Sequence, residues 1–256
     1  MSERSRAGLF VTGTDTGVGK TVVSAALLGR LRTQGRTRYW KPVQTGIEQD
    51  DDSTTVGRLS GCAAREIFQA GIRLLRPLSP HQAARLSGTY IHFEDLMTLA
   101  SAQPSGECWV VEGAGGVLVP LNDHQLMVDL MTALVLPVVV VARTGIGTIN
   151  HTLLTLEALR ARALTIAGVV MVGEPHPDNR EAIERYGHTT VVGELPMLDS
   201  LTPETLALAA ADWRWDVLEA LVWPETTTSH SQGAATAHGT NTAIAQSPDE
   251  TPGRPR

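Results

Sequence analysis

Apolar residues recur along this chain in two alternating patterns. Short runs rich in valine, leucine and isoleucine predict β-strands, and these runs span residues 8–14, 38–43, 107–112, 136–142, 165–172 and 189–195. Stretches with helical periodicity lie between several of them and span residues 20–34, 53–60, 93–102, 148–162 and 179–187. A run that is apolar at every position, such as 138–141, indicates a strand buried on both faces. The alternation predicts an α/β fold, a single domain with a parallel β-sheet flanked by helices.

The pattern stops near Pro224. Residues 225–256 are mostly threonine, serine, alanine, glycine, glutamine and proline, and Ile244 is their one large aliphatic residue. Such a segment buries too little apolar surface to offset the entropy lost on ordering. We therefore predict one folded domain over residues 1–224 and a disordered, low-complexity tail over residues 225–256.

The composition of the 256 residues limits which binding partners and which cellular compartment are expected. The net charge is −6 and aromatic residues make up 4%, which argues against a nucleic-acid partner, because such binding usually needs a basic face or aromatic stacking. The longest apolar run, 133–142, is shorter than a membrane span, so no membrane contact is expected. No secretory pattern opens the sequence, and Cys62 and Cys108 lie in no metal-binding spacing. These features predict a cytoplasmic protein.

The segment between the first strand and the first helix resembles a phosphate-binding loop. Residues 13–21 read Gly-Thr-Asp-Thr-Gly-Val-Gly-Lys-Thr, one residue longer than the usual Walker A spacing. Glycines let backbone N–H groups converge on phosphate oxygens, and the helix that follows directs its positive end toward the same anion. We expect Lys20 to reach the β- and γ-phosphates and Thr21 to hold Mg²⁺. The motif and its position predict a P-loop NTPase-like fold.

Charged residues also end the next two strands, and the carboxyl ends of parallel strands share one edge of the sheet. Lys41 is either a solvated edge lysine or a second cation for a negatively charged substrate. Glu112 closes an apolar strand just before a glycine-rich run, where a carboxylate is costly unless it is paired or metal-bound. Of the aspartates at 50–52, one can cap the helix that follows or one can bind Mg²⁺.

Together these segments resemble one family, dethiobiotin synthetase, the ATP-dependent carboxylase of biotin synthesis. The resemblance spans residues 8–198 and rests on segments 13–21, 41–46, 79–81 (Ser-Pro-His), 112–116 (Glu-Gly-Ala-Gly-Gly), 149–151 (Ile-Asn-His) and 193–196 (Gly-Glu-Leu-Pro). It implies that 7,8-diaminononanoate, CO2 and ATP give dethiobiotin, ADP and phosphate. One amine captures CO2 as a carbamate, ATP phosphorylates the carbamate, and the other amine closes the cyclic urea.

The resemblance also implies a role for each matching residue. Lys41 and Lys20 are catalytic, and Thr21, Asp52 and Glu112 hold Mg²⁺; the helix register selects Asp52 over Asp51. The implied ATP-binding residues are Gly17, Val18, Gly19, Lys20, Thr21, Val22, Asp52, Glu112, Gly113, Ala114, Gly115, Pro196, Met197 and Leu198. The implied diamine-binding residues are Thr16, Thr45, Gly147, Thr148, Ile149 and Asn150. In family dimers the helix that begins at 147–150 receives the carboxylate of the substrate bound to the partner subunit, so a homodimer is implied.

The sequence departs from the family pattern at two places. Gly17 stands where glutamate is frequent, and Val172 and Gly173 stand where an Asn-Asp pair often reads the nucleotide base. The second departure predicts broader nucleotide use than that of a strict ATP enzyme.

Two other protein classes share parts of this pattern. A switch or partitioning ATPase has the same loop and sheet, but it usually carries a lysine early in the loop, which residues 15–17 lack. An ATP-dependent amidotransferase domain normally needs a glutaminase with a nucleophilic cysteine, and neither cysteine has such a context.

Overall fold

The apolar runs form the strands of a parallel sheet. The computed structural model describes residues 7–102, 104 and 106–223, so the predicted tail at 225–256 lies outside the described residues. Its strands are β1 (Gly8–Gly13), β2 (Thr37–Trp40), β3 (Val43–Thr45), β4 (Ile67–Phe68), β5 (Ile72–Leu74), β6 (Cys108–Gly116), β7 (Val138–Arg143), β8 (Ile166–Val172) and β9 (Val191–Leu195). Within the described residues, seven strands pair in parallel in the order β4-β2-β6-β1-β7-β8-β9. The predicted parallel α/β architecture is confirmed.

Helices cover both faces of this sheet. They are α1 (Lys20–Leu31), α2 (Asp52–Ser60), α3 (Pro80–Leu86), α4 (Phe93–Ser101), α5 (Met127–Leu134), α6 (Thr148–Arg160), α7 (Pro177–Gly187), α8 (Pro203–Ala209) and α9 (Trp215–Val222). The first two and the last two pack with Leu9 and Val11 of β1, and the other five lie on the face of Phe10. In the part of the chain that is described, no helix is long and apolar enough to cross a membrane.

The chain leaves the main sheet at Lys41 and Pro42. The strand predicted at 38–43 is therefore wrong in extent, because β2 ends at Trp40 and β3 pairs with β5 in a separate two-stranded sheet. Proline has no N–H to donate to a ladder, and the Arg73 guanidinium donates to the Lys41 carbonyl at 2.9 Å. The break thus occurs beside the lysine that the sequence singled out.

Periodicity missed the shortest elements. Strands β4 and β5 have two and three residues, too few to show an alternation. Helix α5 has eight residues and buries five of them, and so short and apolar a segment cannot be told from a buried strand by periodicity alone. The strand predicted at 107–112 extends to Gly116, where it pairs with Gly13. That pairing brings the glycine-rich run alongside the phosphate loop.

Candidate active site

The loop between β1 and α1 has the backbone that its glycines predict. Gly17 and Gly19 have φ angles of 68° and 100°, values that glycine adopts without steric cost. Val18 between them is buried in the core, and Val22 packs against the same core. These contacts hold the loop against the body of the domain. Gly19 is the N-cap of α1 and no side chain caps the helix, which leaves its first N–H groups without a side-chain partner and available to an anion.

Lys20 is buried in this loop. Its Nζ donates to the Asp15 carbonyl oxygen at 2.8 Å. Burial, with a smaller contribution from the charge of Lys41, lowers its pKa to about 8. A bound phosphate would favour the protonated form, so this lysine is suited to meet an incoming anion.

Lys41 lies between two carboxylates. Its Nζ is 2.6 Å from Asp52 Oδ2 and 2.7 Å from Glu112 Oε1, and it donates to the Gly113 carbonyl at 3.0 Å. Glu112 is completely buried and Lys41 is 3% exposed. Burial by itself would lower the pKa of Lys41, but the charges of Glu112 and Asp52 outweigh it and raise the pKa. The lysine is therefore a buried ammonium ion, not a solvated edge residue.

Thr21 joins the same cluster. Its Oγ1 donates to Asp52 Oδ1 at 2.8 Å and lies 3.1 Å from Glu112 Oε1. Burial opposes ionisation of Asp52, but the charge of Lys41 and its hydrogen bond outweigh that effect and lower the pKa of the carboxyl.

This donor set fits Mg²⁺. One hydroxyl and two carboxylates converge, and Mg²⁺ takes one or two carboxylates together with phosphate and water oxygens. Among the described residues, no group of three or more histidine, cysteine, aspartate or glutamate side chains could hold a metal. Thr21, Asp52 and Glu112 are the residues that would hold it.

Two of the three aspartates take the two roles that the sequence left open. Asp51 is the N-cap of α2, where its Oδ1 accepts from the N–H groups of Ser53 and Thr54 at 2.9 and 3.2 Å. Asp52 begins the helix and reaches Thr21 and Lys41 instead. One residue stabilises the helix end, and the next contributes to the site.

The glycine-rich end of β6 lies against the phosphate loop. A Cβ added to Gly115 would come within 2.7 Å of Val119 Cγ2 and 3.7 Å of Thr16 Oγ1. Gly113 contributes its carbonyl to Lys41, and Ala114 between them is buried. Thr45 ends β3, four residues after Lys41, and is half-buried.

The other predicted site residues lie after the ends of β7 and β9. Gly147, with φ 87°, precedes α6, and the buried Thr148 hydroxyl donates to the Arg143 carbonyl. Ile149 packs on the core, whereas Asn150 is exposed. Residues 196–198 follow β9, and Met197 among them is exposed. These two segments lie beyond β7 and β9, whereas the Lys41 cluster lies at β1, β2 and β6.

Sequence reasoning missed three side chains that support the site. The Tyr39 hydroxyl donates to Glu112 Oε2 at 2.9 Å. Arg73 binds the Lys41 carbonyl, and Arg143 Nη2 donates to the Thr16 carbonyl at 3.0 Å. Strand alternation places Tyr39 two residues before Lys41, which is the one sequence signal that could have indicated it. Arg73 lies in the three-residue strand β5 and Arg143 is the last residue of β7, and at such positions periodicity carries little information.

The sequence is similar to a family model and to individual known proteins. A family model described as an AAA domain matches residues 7–205. The ATP-dependent dethiobiotin synthetase BioD of Paramagnetospirillum magneticum is 49% identical over 200 residues, which cover 78% of this chain and 93% of that protein. The protein of the same name from Brucella ovis is 46% identical over 198 residues, with coverage of 77% and 90%.

A solved structure shares the fold. The ParA family ATPase from Chlorobium tepidum TLS aligns with a TM-score of 0.53 over 85% of this chain and 98% of that chain. The two sequences are 9% identical, so this similarity shows a P-loop NTPase-like architecture and nothing about activity.

Proposed function

Because the chain belongs to the ATP-dependent dethiobiotin synthetase family, which makes it an ATP-dependent ligase, we propose that it carboxylates 7,8-diaminononanoate and closes the product to dethiobiotin. The reaction takes place where β1, β2 and β6 end. The observation that carries this proposal is the cluster of Lys41, Asp52, Glu112 and Thr21 beside the phosphate loop, in which Lys41 and Glu112 are buried.

The chemistry concentrates negative charge at that edge. One amine of the diamine attacks CO2 and forms a carbamate, releasing a proton. A carbamate oxygen attacks the γ-phosphorus of ATP, and ADP leaves. The second amine attacks the carbonyl carbon of the mixed anhydride, phosphate leaves, and the urea ring closes. The carbamate, the phosphoryl group and ADP are all anions, so preorganised cations are the principal requirement of the site.

The two lysines meet this requirement from different elements. Lys20 lies in the phosphate loop and binds the β- and γ-phosphates. Lys41 comes from the end of β2, and its ammonium stabilises charge that develops between carbamate and γ-phosphate. Mg²⁺, held by Thr21, Asp52 and Glu112, neutralises phosphate charge when bound.

The proposal includes a homodimer. Helix α6 has 13 residues and begins at Gly147 without a side-chain cap, so its N–H groups can bind a carboxylate. Ile146, just before it, is fully exposed, which suits a residue that contacts a second subunit. In this arrangement residues 147–150 of one protomer bind the carboxylate of the diamine held by its partner, while Thr16 and Thr45 contact the rest of that diamine.

The nucleotide base is bound with little selectivity. Val172 lies beside the phosphate loop, since a Cβ added to Gly19 would be 3.1 Å from its Cγ1, and a valine side chain has no hydrogen-bonding group. Residues 196–198 complete the base pocket. We expect turnover with several nucleoside triphosphates at similar rates, measured as dethiobiotin formed with each; a strong preference for ATP would contradict this.

One assay tests the proposed function. The purified protein, incubated with the diamine, bicarbonate and MgATP, should form dethiobiotin and ADP in equal amounts, detected by mass spectrometry. A switch or partitioning ATPase would release ADP without the diamine and form no dethiobiotin.

Two variants separate the roles of the lysines. Lys41→Met should lower kcat by about 100-fold or more while retaining ATP binding, and Lys20→Met should weaken ATP binding itself. If Lys41→Met is folded and keeps full turnover, the role given to Lys41 is wrong.

A further inference from the structure

The completely buried carboxylate of Glu112 receives hydrogen bonds on both of its oxygens. Thr21 and Lys41 contact Oε1, while the Tyr39 hydroxyl donates to Oε2 at 2.9 Å. Tyr39 is also completely buried. The Glu112 carboxylate thus directs Oε1 toward Thr21 and Lys41, while Tyr39 holds Oε2.

The sheet explains how the two residues meet. Strands β2 and β6 are paired neighbours, and Tyr39 lies opposite Val110 in the ladder. Glu112 is two residues further along β6, so its side chain projects from the same face of the sheet as that of Val110. The contact therefore depends on rigid strand backbone and not on a loop.

The hydroxyl has one evident function at this position. A phenylalanine ring would fill the same volume, and a buried tyrosine hydroxyl requires a partner. In this contact the hydroxyl is the donor and Oε2 the acceptor, so the hydroxyl holds that oxygen in a fixed position.

We propose that Tyr39 is a positioning residue, whose hydroxyl fixes Glu112 so that Oε1 faces Thr21 and the Mg²⁺ of the nucleotide. Partners that orient a metal-binding side chain commonly change metal affinity by about 10- to 100-fold when they are removed. The inference rests on the metal site of the proposed function, and it adds a residue that does not itself contact the cation.

The test measures how strongly Mg²⁺ promotes nucleotide binding. The affinity of the full-length protein for a fluorescent ADP analogue is determined with saturating Mg²⁺ and with EDTA. In Tyr39→Phe, the gain in nucleotide affinity that Mg²⁺ produces should be smaller than in wild type by about tenfold or more. The nucleotide affinity measured in EDTA should change less than twofold. Tyr90→Phe, which removes a hydroxyl from a ring that is 40% exposed, is the matched control and should retain the full gain.

A double-mutant cycle shows whether the effect passes through Glu112. In a Glu112→Gln background, adding Tyr39→Phe should cause little further loss of the Mg²⁺ effect. The inference is overturned if Tyr39→Phe keeps the wild-type gain, loses affinity equally with Mg²⁺ and with EDTA, or fails to fold. If the wild type itself shows no gain with Mg²⁺, the metal site of the proposed function has failed as well, which is a separate result.

Discussion

At the scale of single residues, the site is organised around the ammonium of Lys41. Two carboxylates and one backbone carbonyl surround it; Lys41 and Glu112 are buried, whereas Asp52 is partly exposed. Removing these charged groups from water costs free energy, and the arrangement is stable because the ammonium and the carboxylates compensate one another. The carboxylates that pair with the lysine are also those that we assign to Mg²⁺, so lysine and metal share their partners.

This sharing predicts how the protein responds when the lysine is removed. Lys41→Met leaves Asp52 and Glu112 close together without their cation, so we expect a loss of about 3 kcal/mol in the free energy of unfolding. Mg²⁺ should restore part of that loss, and it should raise the Tm of the variant more than that of the wild type. Thermal unfolding with and without Mg²⁺ measures both effects.

Lys20→Met is the control for that experiment, because Lys20 Nζ hydrogen-bonds to a carbonyl and not to a carboxylate. Its Tm should respond to Mg²⁺ as the wild type does. An equal Mg²⁺ response in all three proteins would argue against shared carboxylates.

At the scale of elements, local patterns were predictable and contacts between distant elements were not. The valines of β7 indicated a strand buried on both faces, and the glycine spacing indicated the phosphate loop, because each signal lies within a short stretch of chain. The break after Trp40 depends on β5 and Arg73, some 30 residues later, so no local pattern contains it. The same reason hid the Tyr39 contact, which requires the register between β2 and β6.

One contact between elements gives a pH-dependent prediction. Arg32, at the C-cap of α1, donates from Nε and Nη2 to the two oxygens of Glu66 at 3.1 and 3.0 Å, and the Ala63 N–H donates at 2.7 Å. The hydrogen bonds from Arg32 are the main reason that the pKa of Glu66 is lowered. A lowered carboxyl pKa means that the stabilisation is complete above the ordinary glutamate pKa and disappears as the pH falls through the folded value.

Glu66→Gln should therefore reduce the free energy of unfolding by about 1 kcal/mol at neutral pH. The difference from wild type should shrink as the pH falls below the ordinary glutamate pKa of about 4.3. Urea unfolding across that pH range measures it. Glu174→Gln, at an exposed position, should show little difference at any pH, and a constant Glu66→Gln effect in acid would refute the explanation.

At the scale of the whole molecule, the proposed dimer completes the substrate site. The fully exposed Ile146 lies directly before α6, at the same edge of the sheet as the phosphate loop. Replacing it with aspartate should shift the protein toward monomer in sedimentation and raise the KM for the diamine. The affinity for ATP should change little, because its assigned residues all come from one chain.

Leu208→Asp is the matched control for this prediction. Leu208 is 78% exposed and belongs to α8, on the face of the sheet opposite to α6. This variant should retain the wild-type sedimentation and KM. If Ile146→Asp also behaves as the wild type, the subunits do not meet through this segment.

The sequence contains only two lysines, and both are buried: Lys20 lies in the phosphate loop and Lys41 lies between Asp52 and Glu112. Every other basic side chain that holds a permanent charge is arginine. Spectroscopic labels directed at ε-amines will consequently report on the proposed reaction centre alone. With isotopic labelling of lysine, the whole 256-residue protein should give two side-chain ammonium resonances, one from the phosphate loop and one from between Asp52 and Glu112.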